Sequence, residues 1–299
     1  MRRVGVLEMA GPDQARLALW ELFKQRLQEL GHAEGDDIAF DFRWADGHHE
    51  RLEQAATELV RLKVDVLVTA GTSAAAAAIR ATADIPIVMA TGVGIGTELG
   101  DDTRPRVDNV TGVSDLPSGL SAERLRLLRE ALPRPALLGI LANRANPSSP
   151  LAVRETQEAA RAMDLEVRDY WVLGPDHFGP ALAAMRTDGV AGFVVAPGAT
   201  FFVQRQMLAT LALAHRLLSM TARRDYAEAG CLMAYGPPIR ENFRQAAGYV
   251  SRILGGARPA DLPFDQPTAF EFVVNRKTAD VLGLVLPEAL LARAEQIDR

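Results

Sequence analysis

The chain has 299 residues, a formal net charge of -5 and 48% hydrophobic residues, which is enough length for two domains with packed cores. The acidic balance and the lack of a Lys/Arg-rich run argue against nucleic acid as a partner. Cys231 is the only cysteine, which excludes an intramolecular disulfide and a cysteine metal cluster. No apolar run approaches the ~20 residues needed to span a bilayer.

Strand and helix patterns alternate through the first part of the chain. The predicted strands are Val4 to Leu7, 38–44, 64–70, 85–90 and 109–113. Apolar residues spaced as on a helix separate the first four strands, and this order predicts a parallel, doubly wound sheet. In 38–44, apolar residues alternate with Ala39, Asp41 and Arg43, which predicts a strand near a sheet edge.

A second round of strands and helices follows the predicted helix Ser121 to Leu132. It comprises strands at 136–142, 165–172, 192–196, 230–238 and 270–275, with a helix predicted to run through Leu208, Leu211 and Leu218. Extended, proline-marked segments near 114–120, 236–238 and 259–268 are predicted to be three crossings between two similar lobes. The segment 91–108 has no periodicity, and a loop of this length is often a binding loop or lid.

The break between the strand 64–70 and the following helix carries Gly71, Thr72 and Ser73. Ligands of open α/β sheets bind at the carboxyl ends of such strands. A helix that begins there offers free backbone N–H groups to a carboxylate or phosphate, and Thr72 or Ser73 can act as its N-cap. The alternative is a capped turn that serves stability alone.

Patterns of known catalytic and cofactor sites are missing from the sequence. Neither Gly-x-Ser-x-Gly nor the Walker phosphate loop occurs, and Gly92 to Gly96 lacks the third glycine of a dinucleotide site. The adjacent His48 and His49 do not share a helix face, His215 is predicted to lie in the middle of a helix, and Asp101 and Asp102 are predicted to be solvated. We therefore expect no catalytic residue, no metal and no cofactor, and a binding function.

With these elements in place, the chain resembles a bacterial family of ABC transporter substrate-binding proteins whose best-known members take up aromatic amino acids. The likeness runs nearly end to end, and the order and spacing of its segments are more specific than any one of them. The segments that carry it are Arg3 to Leu7, Phe42 to Ala45, Leu59 to Val66, Ala70 to Thr72, Ile85 to Val88, Asn109 to Ser114, Asn143 to Pro147 and Tyr235 to Pro237.

The resemblance implies a type I periplasmic-binding-protein fold, with two Rossmann-like lobes of parallel sheets, a three-segment hinge and a ligand cleft between the lobes. The N-terminal lobe is expected to comprise 1–114 and 237–260, and the C-terminal lobe 115–236 and 261–299. Such a protein binds a small molecule by lobe closure and delivers it to a membrane permease. An amino acid or a related small carboxylate or aromatic compound is the expected ligand.

Ligand-binding residues are predicted from both lobes. In the first lobe we expect Thr72 and Ser73 to receive a ligand anion, and Ser114 to be a hinge or ligand contact. In the second lobe, Asn143 and Asn146 are expected as amide donors and acceptors, although both residues are also typical of a turn. The remaining predicted contacts are Glu8, Met9, Ala10, Thr91, Gly92, Thr200, Phe201, Tyr226 and Tyr235.

The chain departs from the family pattern at two positions where an acid is usual. After the fourth strand the family commonly reads Gly-Asp-Pro-Val, where this chain has Gly92 followed by Val93, and Gly198 stands where an Asp often precedes Pro-x-Phe-Phe. Glu8 instead follows the first strand. Either the ligand differs from a standard amino acid, or Glu8 supplies the missing anion. The alternative for Glu8 is a solvent-facing loop acid, and for Phe201 a core position.

Family members usually carry an export signal, so we expect a periplasmic or membrane-attached extracellular protein whose leader has been removed. Two other classes stay open at this point. A cytoplasmic small-molecule sensor would need a DNA-binding module, and none fits before Val4. A two-lobed sugar or nucleotide transferase would turn its bound compound over.

Overall fold

The computed structural model describes residues 1–92, 108–114, 119–132 and 136–299. Its backbone divides into two compact units, Met1–Pro117 with Ile239–Pro267 and Ser118–Pro238 with Thr268–Arg299. The glycine-rich segment after Gly92, Asp101, Asp102 and part of the first predicted crossing lie outside the described residues. In the described part of the chain, none of the helices combines the length and apolarity that a membrane span requires.

The first unit is built on a parallel sheet with the strand order β2-β1-β3-β4-β5. Its strands are β1 (Arg2–Glu8), β2 (Ile38–Trp44), β3 (Val66–Ala70), β4 (Ile87–Thr91) and β5 (Val110–Gly112). Its helices, numbered along the whole chain, are α1 (Gln14–Glu29), α2 (His49–Arg61), α3 (Thr72–Ala81) and α10 (Ile239–Leu254). The predicted position of β2 at a sheet edge is confirmed.

Burial of β3 explains its apolar sequence, because all five residues of this central strand are buried. Val66 and Val68 face a core that also contains Phe23 of α1 and Phe243 of α10. The helix α10 therefore packs on the first unit although it lies far along the chain. The carboxyl ends of the parallel strands lie at one edge of the sheet, where the predicted ligand residues of this unit follow them.

The second unit is built on a larger sheet with the order β12-β11-β10-β9-β8-β6-β7. Its strands are β6 (Leu138–Asn143), β7 (Val167–Val172), β8 (Gly192–Val195), β9 (Leu218–Thr221), β10 (Met233–Gly236), β11 (Glu271–Asn275) and β12 (Glu295–Ile297). Its helices are α4 (Leu120–Ala131), α5 (Ser149–Ala162), α6 (Phe178–Thr187), α7 (Ala199–Val203), α8 (Arg205–Ala214), α9 (Arg224–Glu228), α11 (Arg276–Leu282) and α12 (Glu288–Leu291). The pair β10–β11 is antiparallel, so this sheet is mostly but not wholly parallel.

Three details of the second unit differ from the sequence prediction. The helix predicted to include Leu218 ends at Ala214, and Leu218 begins β9 instead. His215 is therefore the C-cap of α8 rather than a residue in the middle of a helix. The chain reverses at Arg216, whose φ of 54° is a left-handed conformation that glycine usually supplies.

Residues 261–267 pack in the first unit, whereas the sequence analysis assigned them to the second lobe. The Thr111 hydroxyl donates to the Leu262 carbonyl at 2.7 Å, and the Tyr249 hydroxyl donates to the Pro263 carbonyl at 2.6 Å. These bonds hold the segment beside β5 and α10. That the two units act as lobes around a ligand cleft stays a prediction.

Candidate functional site

Glu8 is the last residue of β1, and its carboxylate is fully occupied by neighbours within the first unit. Its Oε2 accepts from Arg16 through both Nη2 and Nε, the latter at 3.2 Å, and from Trp20 Nε1 at 3.3 Å. Its Oε1 accepts from the Ala10 backbone N–H at 3.1 Å. The Glu8 and Arg16 side chains are only 1% and 4% exposed. Glu8 is thus neither a solvent-facing loop acid nor an unpaired charge that a ligand ammonium would meet.

This ion pair fixes the turn after β1. Ala10 is held by its bond to Glu8, and the Met9 carbonyl accepts from Gly47 at 2.8 Å, with Met9 itself completely buried. Arg16 also lies over the Phe243 ring of α10, at 5.5 Å from its centroid. Arg16 was not predicted from the sequence, because an arginine eight residues after a strand carries no local signal of the carboxylate that it will contact.

The ends of β3 and β4 bring four predicted site residues together. Gly71, with φ of 97°, is the N-cap of α3, so Thr72 and Ser73 are its first two helical residues and not its cap. The Gly71 N–H donates to the Thr91 carbonyl at 3.0 Å. Thr72 and Ser73 are 6% and 9% exposed. The predicted role of either residue as N-cap is therefore corrected, while their position at the start of α3 is retained.

Gly92 passes directly over the first turn of α3. Its φ is 131°, and a Cβ at this position would lie 2.9 Å from the Thr72 backbone nitrogen and 2.9 Å from Met89 Cε. A side chain at residue 92 would therefore push against backbone, and glycine is required for this approach. The acid that is usual in the family would follow Gly92, and Val93, which stands there in this chain, lies outside the described residues.

Ser114 lies where the first and third chain segments of the predicted hinge meet. Its N–H donates to the Asp265 carbonyl at 2.9 Å, and Val113 forms an isolated parallel bridge with Asp265. Ser114 is 2% exposed. Its backbone thus joins two of the connecting segments, as a hinge residue would, and whether it also contacts ligand stays a prediction.

In the second unit, Asn143 is the last residue of β6, and only the oxygen of its side-chain amide is hydrogen-bonded within the described residues. Its Oδ1 accepts from the Ala145 N–H at 2.8 Å, whereas its Nδ2 is buried and has no hydrogen-bond partner among the described residues. The Ser149 hydroxyl, at the first position of α5, is likewise buried and unpartnered within the described ranges. Asn143 was predicted from the sequence, whereas Ser149 was not, since its only local signal is its place at the end of a polar loop.

Asn146 uses its amide to join two loops of the second unit. Its Nδ2 donates to the Pro197 carbonyl at 2.7 Å, and its Oδ1 accepts from the Ser148 N–H and hydroxyl at 3.2 and 3.0 Å. A Cβ at Gly198 would lie 3.2 Å from that Nδ2. Asn146 therefore shapes the turn that presents Asn143, which is the alternative that the sequence had left open.

The predicted aromatic contacts lie in or against the core of the second unit. Phe201 is completely buried with its ring 5.2 Å from that of Phe178, which is the core alternative. Tyr226 is 4% exposed beside Phe202, and burial raises the pKa of its hydroxyl. Tyr235 stacks on Phe270 at 6.0 Å. Each of the three rings is thus packed against protein, and their predicted contacts with a ligand stay predictions.

Thr200 and Arg124 are two further buried polar residues near the strand ends of the second unit. Thr200, in the short helix α7, is 5% exposed. Arg124 of α4 is 2% exposed and donates from Nε to the Tyr235 carbonyl at 2.9 Å, at the end of β10. The described residues hold no group of three or more His, Cys, Asp or Glu side chains placed to bind a metal. Apart from the Glu8–Arg16 ion pair, the polar groups found at the strand ends of the two units are therefore hydroxyl, amide and backbone groups, together with the Arg124 guanidinium at the end of β10.

The two units, each a sheet covered by helices, have the fold of type I periplasmic binding proteins, which solved ABC solute-binding proteins share. The family model for ABC transporter substrate binding proteins matches residues 4–298, and the chain belongs to that family. It is the solute-binding protein of an ABC transporter.

Individual relatives are distant in sequence but similar in structure. A tyrosine-binding protein from Clostridioides difficile is 23% identical over 266 residues, which cover 88% of this chain and 75% of the relative. A conserved domain protein from Vibrio cholerae has 25% identity and a TM-score of 0.89, with 99% of each chain covered. A Streptococcus pneumoniae ABC domain in complex with L-Trp has 24% identity and a TM-score of 0.88, again covering 99% of each chain.

Proposed function

We propose that this protein is the extracytoplasmic receptor of an ABC importer, which binds an amino acid or a related small carboxylate or aromatic compound and passes it unchanged to the membrane permease. Family membership supports the transport role. The names of two relatives, one binding tyrosine and one holding L-Trp, support the aromatic class of solute.

The observation that carries the proposal is the buried Nδ2 of Asn143, at the carboxyl end of β6, which has no hydrogen-bond partner among the residues that the structure describes. Buried polar groups in folded proteins are nearly always bonded, because an unmade bond costs roughly 1–3 kcal/mol. A group left unbonded at the edge where α/β folds bind ligands is best explained by a solute that completes it. Non-catalytic binding suits such a site, because an amide positions a solute but transfers no proton.

In the first unit we propose Thr72, Ser73, Thr91 and Gly92 as the solute contacts, because the fold brings these residues together at the start of α3. In the second unit we propose Asn143 and Thr200. Solute contacts from both units would favour a closed state of the protein over an open one. Ser114 and the paired segment at Asp265 would act in the hinge.

The family's usual acids are replaced by Val93, after Gly92, and by Gly198, and Glu8 is paired with Arg16. Both observations bear on the class of solute. A desolvated ammonium group needs a carboxylate or several carbonyl oxygens. We therefore include aromatic carboxylates that lack the α-amino group, such as 3-indolepropionate, in the proposed range of solutes.

A thermal-shift screen against aromatic amino acids, their deaminated acids and small carboxylates tests the proposal. A solute at a hundredfold excess over its Kd stabilises the protein by about 2.7 kcal/mol. The double variant Thr72→Ala/Asn143→Ala should lose this stabilisation, whereas Thr57→Ala, on an exposed part of α2, should keep it. Chromatography of the released solute should return it unchanged. A chemically altered product, or a shift that survives the double variant, would contradict the proposal.

A further inference from the structure

Two buried side-chain groups that have no hydrogen-bond partner in the described part of the chain lie in one short segment of the second unit. Of the four such atoms among the described residues, Asn143 Nδ2 and Ser149 Oγ fall within seven residues of each other, while Thr69 Oγ1 and Gln245 Oε1 lie on β3 and α10. The segment is compact, because the Asn146 N–H donates to the Asn143 carbonyl at 3.2 Å and the Ser149 N–H donates to the Asn146 carbonyl at 3.1 Å. Asn143 and Ser149 are 1% and 0% exposed.

The hydrogen bond inside this segment determines which half of the Asn143 amide is offered to a solute. The Ala145 N–H is a donor, and only the carbonyl oxygen of the Asn143 amide can accept from it. Oδ1 must therefore face Ala145, and it lies 2.8 Å from the Ala145 nitrogen. A flipped amide would place two donors against each other. The unpartnered half is therefore the NH2 group, which needs an acceptor and would repel a cation.

The start of α5 adds to this preference for an acceptor. Ser149 is the first residue of a helix of 14 residues, and its hydroxyl can donate a second hydrogen bond. The N-terminus of such a helix carries a partial positive charge that favours an anion. A negatively charged acceptor thus satisfies both side chains better than a neutral carbonyl would.

We infer that the second unit recognises the carboxylate of the solute, with Asn143 Nδ2 and Ser149 Oγ as its donors. This inference rests on the proposed function and deepens it by naming the unit that binds the carboxylate. From the sequence, Thr72 and Ser73 in the first unit were the predicted anion contacts. The anion is thereby assigned to β6 and α5, and the contacts of the first unit are left for the rest of the solute.

The test compares acids with their amides on wild type and Asn143→Asp. The probes are L-tryptophan with L-tryptophanamide and 3-indolepropionate with 3-indolepropionamide, measured by titration calorimetry. The aspartate still accepts from the Ala145 N–H, so the turn is retained, and circular dichroism and melting temperature verify the fold. Loss of a hydrogen bond from a side-chain donor to a charged carboxylate lowers affinity by about 10- to 100-fold. We expect Asn143→Asp to weaken both acids by at least about 100-fold and to leave the amides unchanged or tighter.

Ser149→Ala provides a second variant without a new charge, and it should weaken the acids by about 10-fold and the amides by less. Gln28→Glu adds the same charge as Asn143→Asp on the exposed side of α1 and should change no affinity. Equal weakening of acids and amides by Asn143→Asp, or no weakening of either, would overturn the inference while the proposed function stands. If none of the four probes binds the wild type, the proposed class of solute is wrong, and the inference is overturned with it.

Discussion

The strand ends of the two units treat their polar side chains in opposite ways. At the end of β1, the Glu8 carboxylate forms an ion pair with Arg16 and accepts a hydrogen bond from Trp20, both within the same unit. At the end of β6, Asn143 has no charge, but half of its amide is left without a partner among the described residues. The comparison teaches that a solute contact is better recognised by an unmade hydrogen bond than by the formal charge of a residue.

The same contrast appears over three residues of one loop. Asn143, the last residue of β6, and Asn146, three residues later, are both buried. The side-chain amide of Asn146, however, is hydrogen-bonded to the Pro197 carbonyl and to Ser148. Asn146 therefore acts as a support for the turn and Asn143 as the group that the turn presents. Changes at the two positions should separate stability from solute binding.

Glu8→Ala should have the largest effect, because it removes the carboxylate that pairs with the buried guanidinium of Arg16. We expect a loss of about 3–5 kcal/mol in the free energy of unfolding, measured by urea denaturation. The control is Glu53→Ala, which breaks the exposed pair with Arg80 and should leave stability nearly unchanged. If Glu8→Ala is tolerated as well as Glu53→Ala, the carboxylate is not held as described and is available to a solute.

Gly92→Ala breaks the close approach of β4 to α3. The left-handed backbone costs about 1–3 kcal/mol for a residue with a side chain, and the contact with the Thr72 nitrogen adds to that cost. Gly248→Ala on α10 is the matched control, since its Cβ meets nothing within 4 Å, and it should stabilise the helix by roughly 0.5–1 kcal/mol. Both are measured by urea denaturation, and equal effects would refute the close approach.

Asn146→Ala should lower the free energy of unfolding by about 1–3 kcal/mol, because the Pro197 carbonyl and the Ser148 N–H lose their partner. Asn143→Ala should cost less stability, since it removes an unsatisfied group together with one bond to Ala145. Calorimetric titration with the solute should show the opposite order, with the larger loss of affinity at Asn143. The same order in both measurements would argue against separate roles.

The smallest predicted effect concerns Cys231, whose thiol is buried in the second unit. Burial raises the pKa of its thiol from 9.0 to about 12. The stability that the protonated thiol provides is complete below pH 9 and is lost as the pH rises from 9 toward 12. Between pH 8 and pH 10, the free energy of unfolding of the wild type should fall by roughly 1 kcal/mol more than that of Cys231→Ala. Parallel pH profiles of the two proteins would show that the thiol is not buried.

The strand and helix order was predictable because periodicity is strong where a sheet is covered on both faces, as in β3. The end of α8 could not be predicted, because the left-handed conformation before β9 is adopted by Arg216 and not by a glycine. At the site, the polar loop after β6 identified Asn143 and Asn146. Which of the two side chains stabilises the fold depends on a hydrogen bond to Pro197, about fifty residues away in the chain. The Glu8–Arg16 pair likewise depends on tertiary contacts that no local pattern encodes.

A crystal structure of the protein with 3-indolepropionate or L-tryptophan bound tests the central claim most directly. The account predicts a carboxylate oxygen within about 3.2 Å of Asn143 Nδ2, with Glu8 still paired to Arg16. A carboxylate bound at Thr72 and Ser73, with the Asn143 amide away from the solute, would contradict it.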